Sequence, residues 1–452
     1  MKLQFLMALL LILSGITYAQ TDIVATYINQ GLENNLALRQ KQFSLEQSLQ
    51  ALKEARGLFL PSFGIEARYS RAGGGRIIEI PVGDLVNPVY RTLNQLLASI
   101  GQPPTFPEDI ANQSTPFLRD QEHETKLRII QPLFQPAIFY NYKIKSNLNE
   151  ISKVELAIFE RQLIEDIKKA YFNYLKAARV VEIYLKSHHL LKENLRVSQK
   201  LFDNQKATVE VVYRAQAELA ELEQQLADAE KNLRLAAAYF NFLLNKPLDS
   251  EIYHLNESRL EFPQPDLAHA RERAVKRRLE THQLSTAMKI AQHSADLSRS
   301  TFLPTMTGVF DYGFQGEAYR FTADDDYWMG SIVLQWNLFN GFQDAAKKQY
   351  ALLERNKLEA QLAELNAKIE LQVQEAYDAL IVAQKAIHSA NEREKSARKS
   401  FDIICKKFEQ GMAPQIEYIN ARTALTNAEI AHTIAKYDCQ IKYAIFEHVT
   451  MR

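Results

Sequence analysis

Two stretches of this 452-residue chain contain neither proline nor glycine, one from Ala137 to Asp203 and one from Gln343 to Glu409. At ~1.5 Å per residue, roughly 67 residues of continuous helix make a rod of ~100 Å. Apolar positions in these stretches, and in those that follow them, step by three and four. One series is Ile167, Tyr171, Tyr174, Ala178, Val181 and Leu185, and another is Val373, Ala376, Leu380, Ala383, Ile387 and Ala390. A third is Leu219, Leu222, Leu226, Ala229, Leu233, Ala236 and Phe240. A spacing near 3.5 is that of coiled-coil packing. Such rods are too polar for a bilayer and about three bilayers long, so they require an aqueous compartment.

The chain also repeats itself. Phe59-Leu60-Pro61 is echoed by Phe302-Leu303-Pro304, and Ile130-Gln131-Pro132-Leu133-Phe134 by Leu334-Gln335-Trp336-Asn337-Leu338-Phe339 with one residue inserted. Lys200-Leu201-Phe202-Asp203-Asn204-Gln205 matches Lys406-Lys407-Phe408-Glu409-Gln410-Gly411, and the match continues to Leu219 against Leu425. Three matches in the same order define two halves built from the same parts. The first half spans 20–244, with strands about 62–70 and 124–131, a long helix about 137–203, a turn at 204–208 and a return helix over 208–244. A linker over 245–270, with Pro247, Pro263 and Pro265, leads to the second half at 271–452. There the strands are expected about 305–314 and 327–336, the long helix about 343–409, the turn at 411–414 and the return helix over 415–449.

The strand segments alternate with a period of two. Phe63, Ile65, Ala67 and Tyr69 share one face, against Gly64, Glu66 and Arg68 on the other. Thr125, Leu127 and Ile129 alternate with Glu124, Lys126 and Arg128; Phe310, Tyr312 and Phe314 share a face, as do Trp328, Ile332, Leu334 and Trp336. Short segments of ~9–11 residues with one apolar and one polar face suit a barrel wall between lipid and a wet lumen. Tyr69, Tyr327, Trp328 and Trp336 are the expected membrane-interface aromatics. Four strands cannot close a barrel, since ~8 is the smallest number that does, and open edges are not tolerated in lipid. Several chains must therefore share one sheet. Residues 71–124, with Gly73-Gly74-Gly75 and six prolines, are expected to form an elaborate loop between the first two strands.

The N-terminus has the form of a signal peptide over 1–19: Lys2, the apolar run Leu3 to Leu13, then Thr17-Tyr18-Ala19 ahead of Gln20. No later stretch approaches the ~18–20 apolar residues of a spanning helix. Acidic and basic residues balance at 54 each, so no overall field draws the chain to nucleic acid. Cys405 and Cys439 would lie roughly 30 Å apart on a helical hairpin turning near Met412, and are expected to be two small buried residues without a disulfide.

These residues resemble the TolC family of outer-membrane efflux proteins over nearly the whole mature chain. The Phe-Leu-Pro pairs, Leu133-Phe134, Leu338-Phe339-Asn340-Gly341, and Phe408-Glu409-Gln410-Gly411 through Ile416-Glu417-Tyr418-Ile419-Asn420-Ala421-Arg422 carry the resemblance. It implies a mostly α fold with a small transmembrane β part. Long coiled-coil helices would form a periplasmic α-barrel, and a homotrimer would share a 12-stranded β-barrel in outer-membrane lipid, four strands per chain. It further implies a passive duct opened at its periplasmic tip by a periplasmic adaptor and an inner-membrane transporter, in efflux or type I secretion. Gln205, Thr208, Gly411 and Pro414 then fall at the tip and adaptor-docking turns. Gly411 suits a left-handed turn, whereas its counterpart Gln205 carries a Cβ that disfavours the same tight geometry. Glu417 and Asn420 are the positions of a pore constriction, and three copies of Glu417 around an axis would favour cations.

Catalytic chemistry and cofactors are not expected. His188-His189 are neighbours pointing about 100° apart on a helix, a poor metal site. Asp324-Asp325-Asp326 lacks the ligand spacing of a calcium loop. No phosphate-binding glycine loop or nucleophile elbow is present. The alternative from another class, an exported coiled-coil scaffold or adhesin without a pore, accounts for the helices but not for the symmetric, proline-marked strands.

Overall fold

The computed structural model describes residues 23–253 and 266–451; the signal segment and part of the expected linker lie outside them. In chain order the elements are α1 (Ile23–Asn34), α2 (Leu36–Gly57), β1 (Ser62–Arg71), β2 (Ile77–Ile80), α3 (Val82–Ser99), β3 (Gln113–Pro116), β4 (Gln121–Phe134) and α4 (Pro136–Asp203). They continue with α5 (Val209–Leu243), α6 (Leu267–Arg277), α7 (Leu279–Ser300), β5 (Thr305–Gly316), β6 (Asp326–Gln335), α8 (Gln343–Glu409) and α9 (Gln415–Val449). The proline- and glycine-free stretches are unbroken helices of 68 and 67 residues.

The chain divides into two compact units. The first comprises residues up to 52, 144–292 and 350 onward; the second comprises 53–143 and 293–349. In the helical unit, one core gathers Tyr27, Leu163, Ile167, Tyr171, Phe240 and Tyr437. The Tyr27 and Phe240 rings meet edge to face at 4.9 Å, a favoured aromatic geometry. Burial there leaves no polar tip unpaired: the Tyr171 hydroxyl donates to the Tyr253 carbonyl at 2.9 Å, and the Tyr27 hydroxyl accepts from the Tyr253 N–H at 2.8 Å. A second core gathers Ala270, Ala274, Ile369, Val373, Ala376, Leu380 and Phe446. In the register that sets Lys200 against Lys406, Leu163, Ile167, Ala170 and Phe240 fall on Ile369, Val373, Ala376 and Phe446. The repeat therefore extends to core positions.

It extends to the helix ends as well. Asn35 breaks α1 from α2 and donates to the carbonyl of Leu243, the last residue of α5, at 2.8 Å. Arg278 breaks α6 from α7 and donates to the carbonyl of Val449, the last residue of α9, at 3.5 Å. Each break thus supplies a donor to an orphan carbonyl at a helix C-terminus. Asn245 and Met451, the residues that turn the chain after those two helices, both take positive φ, 53° and 57°.

In the second unit, β1, β4, β5 and β6 form one antiparallel sheet in that order. Its registers run from Ser62↔Ile130 to Arg71↔Gln121, from His123↔Gly316 to Phe134↔Met306, and from Thr305↔Gln335 to Phe314↔Asp326. Among the described residues, β1 and β6 each pair on one side only. Strand β4 is longer than the alternation of 124–131 suggests. It passes through Pro132, and the missing N–H is accommodated by a register shift between Pro132 and Phe134.

The 71–124 segment also departs from expectation, because it is not merely a loop. Strands β2 and β3 make a small ribbon, and α3 is an 18-residue helix containing Pro88. The helix packs on the 105–112 strand of chain through two asparagines. Asn94 accepts from the N–H groups of Thr105 and Phe106 and donates to the Phe106 carbonyl, while Asn87 exchanges two hydrogen bonds with Ile110. Gly83 permits the approach, since a Cβ there would lie 2.0 Å from the Ile110 carbonyl oxygen.

Candidate functional site

The sheet has two chemically opposite faces. On one, Arg128 reaches Asp311 with two hydrogen bonds of 2.8 Å and Glu66 with one of 3.1 Å. Lys126 donates to Glu124 at 2.8 Å and lies 3.8 Å from Glu66, and Arg68 lies 3.5 Å from Glu124. Alternation along β1 and β4, together with the register, brings these charges together. Three acids meet three bases, so the face carries an internally compensated charge network. Asp311 is fully buried beneath Arg128.

On the opposite face stand Phe63, Ile65 and Tyr69 of β1, Leu127 of β4, Phe310 and Tyr312 of β5, and Trp328, Ile332 and Leu334 of β6. All are exposed, Ile65 to 78% and Trp328 and Ile332 to 72% each. Trp336, just past β6, is exposed too, and its indole N–H donates to the Phe302 carbonyl at 3.0 Å. Tyr327 requires a correction: it does not share the face of Trp328. As its immediate neighbour it points to the charged side, where its hydroxyl donates to Glu124 at 2.6 Å. At the end of the apolar face, His123 is fully buried, stacked on Tyr319 at 4.4 Å.

In the helical unit, the turns between long and return helices repeat one geometry. The Gln205 N–H donates to the Phe202 carbonyl and the Lys206 N–H to that of Leu201, both at 2.8 Å; the Gly411 N–H donates to Phe408 at 3.0 Å and Met412 to Lys407 at 2.7 Å. This is a left-handed helix stop with paired capping bonds. Gln205 adopts φ 56° where Gly411 adopts 70°. The expectation that Gln205 would loosen its turn is therefore overturned; the two bonds hold a side-chain-bearing residue in a conformation glycine takes more cheaply. Thr208 and Pro414 follow as extended N-cap residues. Gln205, Thr208, Gly411 and Pro414 are all exposed.

Glu417 and Asn420 lie one turn apart on the exposed side of α9, while Tyr418 and Ile419 between them are buried. The Tyr418 ring stacks on Phe408 at 4.9 Å. Cys439 is buried and its thiol is pushed up to about 11 by that burial, but Cys405 is only partly buried, contrary to expectation; both are free. His188 faces Glu223 at 3.2 Å. The Asp324–Asp326 run forms the turn into β6, with Asp325 accepting from the Thr322 hydroxyl at 2.9 Å. The alternation places Glu66, Arg68, Glu124, Lys126 and Arg128 on a polar face, as observed, but Asp311 and the pairing of these charges across strands carry no local signal in the sequence.

A continuous apolar surface of this extent on an exposed sheet face, backed by a charged one, is the arrangement of a membrane wall rather than of a soluble layer. Residues 270–445 match the model of the family described as outer membrane efflux protein. Over that span the chain is similar to the outer-membrane efflux proteins. TolC of Salmonella enteritidis is 20% identical over 449 residues, covering 96% of this chain and 84% of that protein. The alkaline protease secretion protein AprF of Pseudomonas aeruginosa is 22% identical over 330 residues, covering 71% and 69%. The outer-membrane channel CmeC of Campylobacter jejuni has the same fold, with a TM-score of 0.76, 15% identity, and coverage of 95% of this chain and 85% of that one. The four-stranded sheet and the paired helical turns are this chain's two candidate functional regions.

Proposed function

We propose that the chain is one protomer of an outer-membrane channel-tunnel, a passive exit duct for efflux or type I secretion. The sheet carries the proposal. Its apolar face is exposed, its charged face is compensated, and β1 and β6 each pair on one side only among the described residues. Lipid accepts such a sheet only when the edges are joined, and three copies give the twelve strands of a closed barrel. The compensated ladder then lines a wet lumen with little net charge. The long helices lie in the periplasm. The duct supplies no energy; an inner-membrane transporter and a periplasmic adaptor do so, meeting the exposed turns at Gln205–Thr208 and Gly411–Pro414. Export of polypeptide, the role that AprF's name carries, and export of small molecules both fit a conduit without a selective lumen.

Glu417 and Asn420 form the constriction in this proposal. The test is ion selectivity in planar bilayers. Purified protein should form pores, and Glu417→Gln should reduce their preference for cations over anions. Pores with unchanged selectivity would remove Glu417 from the constriction; a water-soluble, non-conducting protein would remove the duct.

A further inference from the structure

Near the turns, the packing of α9 against α4 and α5 differs from the two apolar cores. Ser187, Asn194 and Ser198 of α4 and Arg422 and Thr426 of α9 are all buried there. Neutral hydrogen bonds cross the seam. The Gln415 amide donates to Asn194 at 3.1 Å and to Ser198 at 2.8 Å, and the Ser187 and Thr426 hydroxyls lie 2.7 Å apart. Such bonds exchange for water with little net loss, so these polar positions add less cohesion than apolar ones would to a seam that also buries Leu191, Ile419 and Leu425.

Arg422 is the exception within it. The residue is 4% exposed, and its one hydrogen bond runs from Nη2 to its chain neighbour, the Thr423 hydroxyl, at 3.2 Å. Nε and Nη1 are buried without an acceptor. Among the described residues no carboxylate lies within ion-pairing distance. Glu218 of α5 acts on the guanidinium only through space, partly offsetting the downward push of burial on its pKa. An arginine does not escape by losing its proton. A buried charge stripped of water and unpaired is strongly unfavourable, and the remedy within reach is hydration when α9 parts from α4 and α5.

We infer that Arg422 is a gating residue, a buried charge that biases the closed packing of α9 toward opening. This rests on the duct proposed above. A merely structural arginine and a gating one differ in sign. Replacing a structural Arg422 loosens the seam and makes the channel leak, whereas Arg422→Met, of similar volume without the charge, tightens a seam that the charge strains. Glu218→Gln removes the one carboxylate that relieves the charge and acts in the opposite direction.

The experiment records spontaneous openings of the full-length protein in planar bilayers, with hydrogen–deuterium exchange over residues 415–426 as a second readout. Arg422→Met should lower the open probability about tenfold, equivalent to about 1.4 kcal/mol, and slow exchange in that segment. Glu218→Gln should raise both. Unchanged or increased opening in Arg422→Met, or unchanged or faster exchange, overturns the assignment. Failure of every variant and of the parent to conduct would sink the duct instead, and the exchange rates would still decide whether Arg422 strains the seam.

Discussion

Ile332 and Val333 are neighbours on β6 that face opposite sides of the sheet, and both are more than half exposed in the isolated chain, 72% and 51%. If both sides met water, an arginine at either position would change stability by no more than about 0.5 kcal/mol. A lipid-facing side changes the expectation. Ile332 lies midway between Trp328 and Trp336, four residues from each. At ~3.4 Å per residue those tryptophans are about 27 Å apart along the strand, or about 20 Å in depth at a tilt of ~40°. That span fits the roughly 25 Å apolar band of an outer-membrane barrel, and Ile332 sits near its middle. Ile332→Arg should then cost about 2–4 kcal/mol per chain, while Val333→Arg, on the lumen side, stays within about 0.5 kcal/mol. The assay is urea unfolding of protein refolded into lipid vesicles. Equal losses at the two positions, in either direction, would mean that this face does not meet lipid.

The turns offer a paired comparison. Gly411→Ala should destabilise by about 1–2 kcal/mol through the backbone alone, because nothing lies within 4 Å of the added Cβ. Gln205→Gly should stay within about 1 kcal/mol of neutral, since relief of the left-handed strain is offset by glycine's larger unfolded-state entropy; helix signal against urea measures both. In the sheet, Arg128→Met leaves the buried Asp311 carboxylate without its partner, and Arg128→Met with Asp311→Asn should recover much of the lost heat resistance of the assembled protein on gels. Glu280, half-buried, is pushed up by burial, but the hydrogen bonds and charge of Arg278, a backbone hydrogen bond and the nearby His448 together outweigh this and hold its carboxyl below the usual range. A depressed folded value gives stability that is present above the unfolded pKa of about 4.3 and is lost as the pH falls through the folded one. Glu280→Gln should therefore lower stability at neutral pH and flatten its decline below about pH 4, followed by thermal melts across that range.

Much of the fold was legible because two periodicities are written in long, uninterrupted runs. The 3.5-residue spacing through Ile167 and Val373 marks buried helix faces, and alternation through Phe63–Tyr69 marks a strand. What escaped depends on partners distant in sequence. Pro88 and the surrounding prolines conceal α3, which is held by asparagine bonds to residues that follow it rather than by its own propensity. Gln205 takes a glycine's conformation because the capping bonds of its turn demand it. Tyr327 was misplaced because an aromatic next to tryptophan looks like part of the same belt, although a strand sends neighbours to opposite sides. The isolation of Arg422 has no local signature, since whether a charge finds an acceptor depends on what the other helices bring to it.

The one-sided pairing of β1 and β6 has a consequence for biogenesis. In the proposed barrel the edge of β6, unpaired among the described residues, joins a neighbour's β1 head to tail, so two joined chains would still present two raw edges, as a lone chain does. Relief arrives only when the last seam closes the ring. Assembly of the proposed barrel is accordingly all-or-none, and a chain with one damaged edge would spoil every ring it enters. For the proposed ring of three, a cell making sound and defective copies equally would have roughly one whole ring in eight, which would make such lesions genetically dominant.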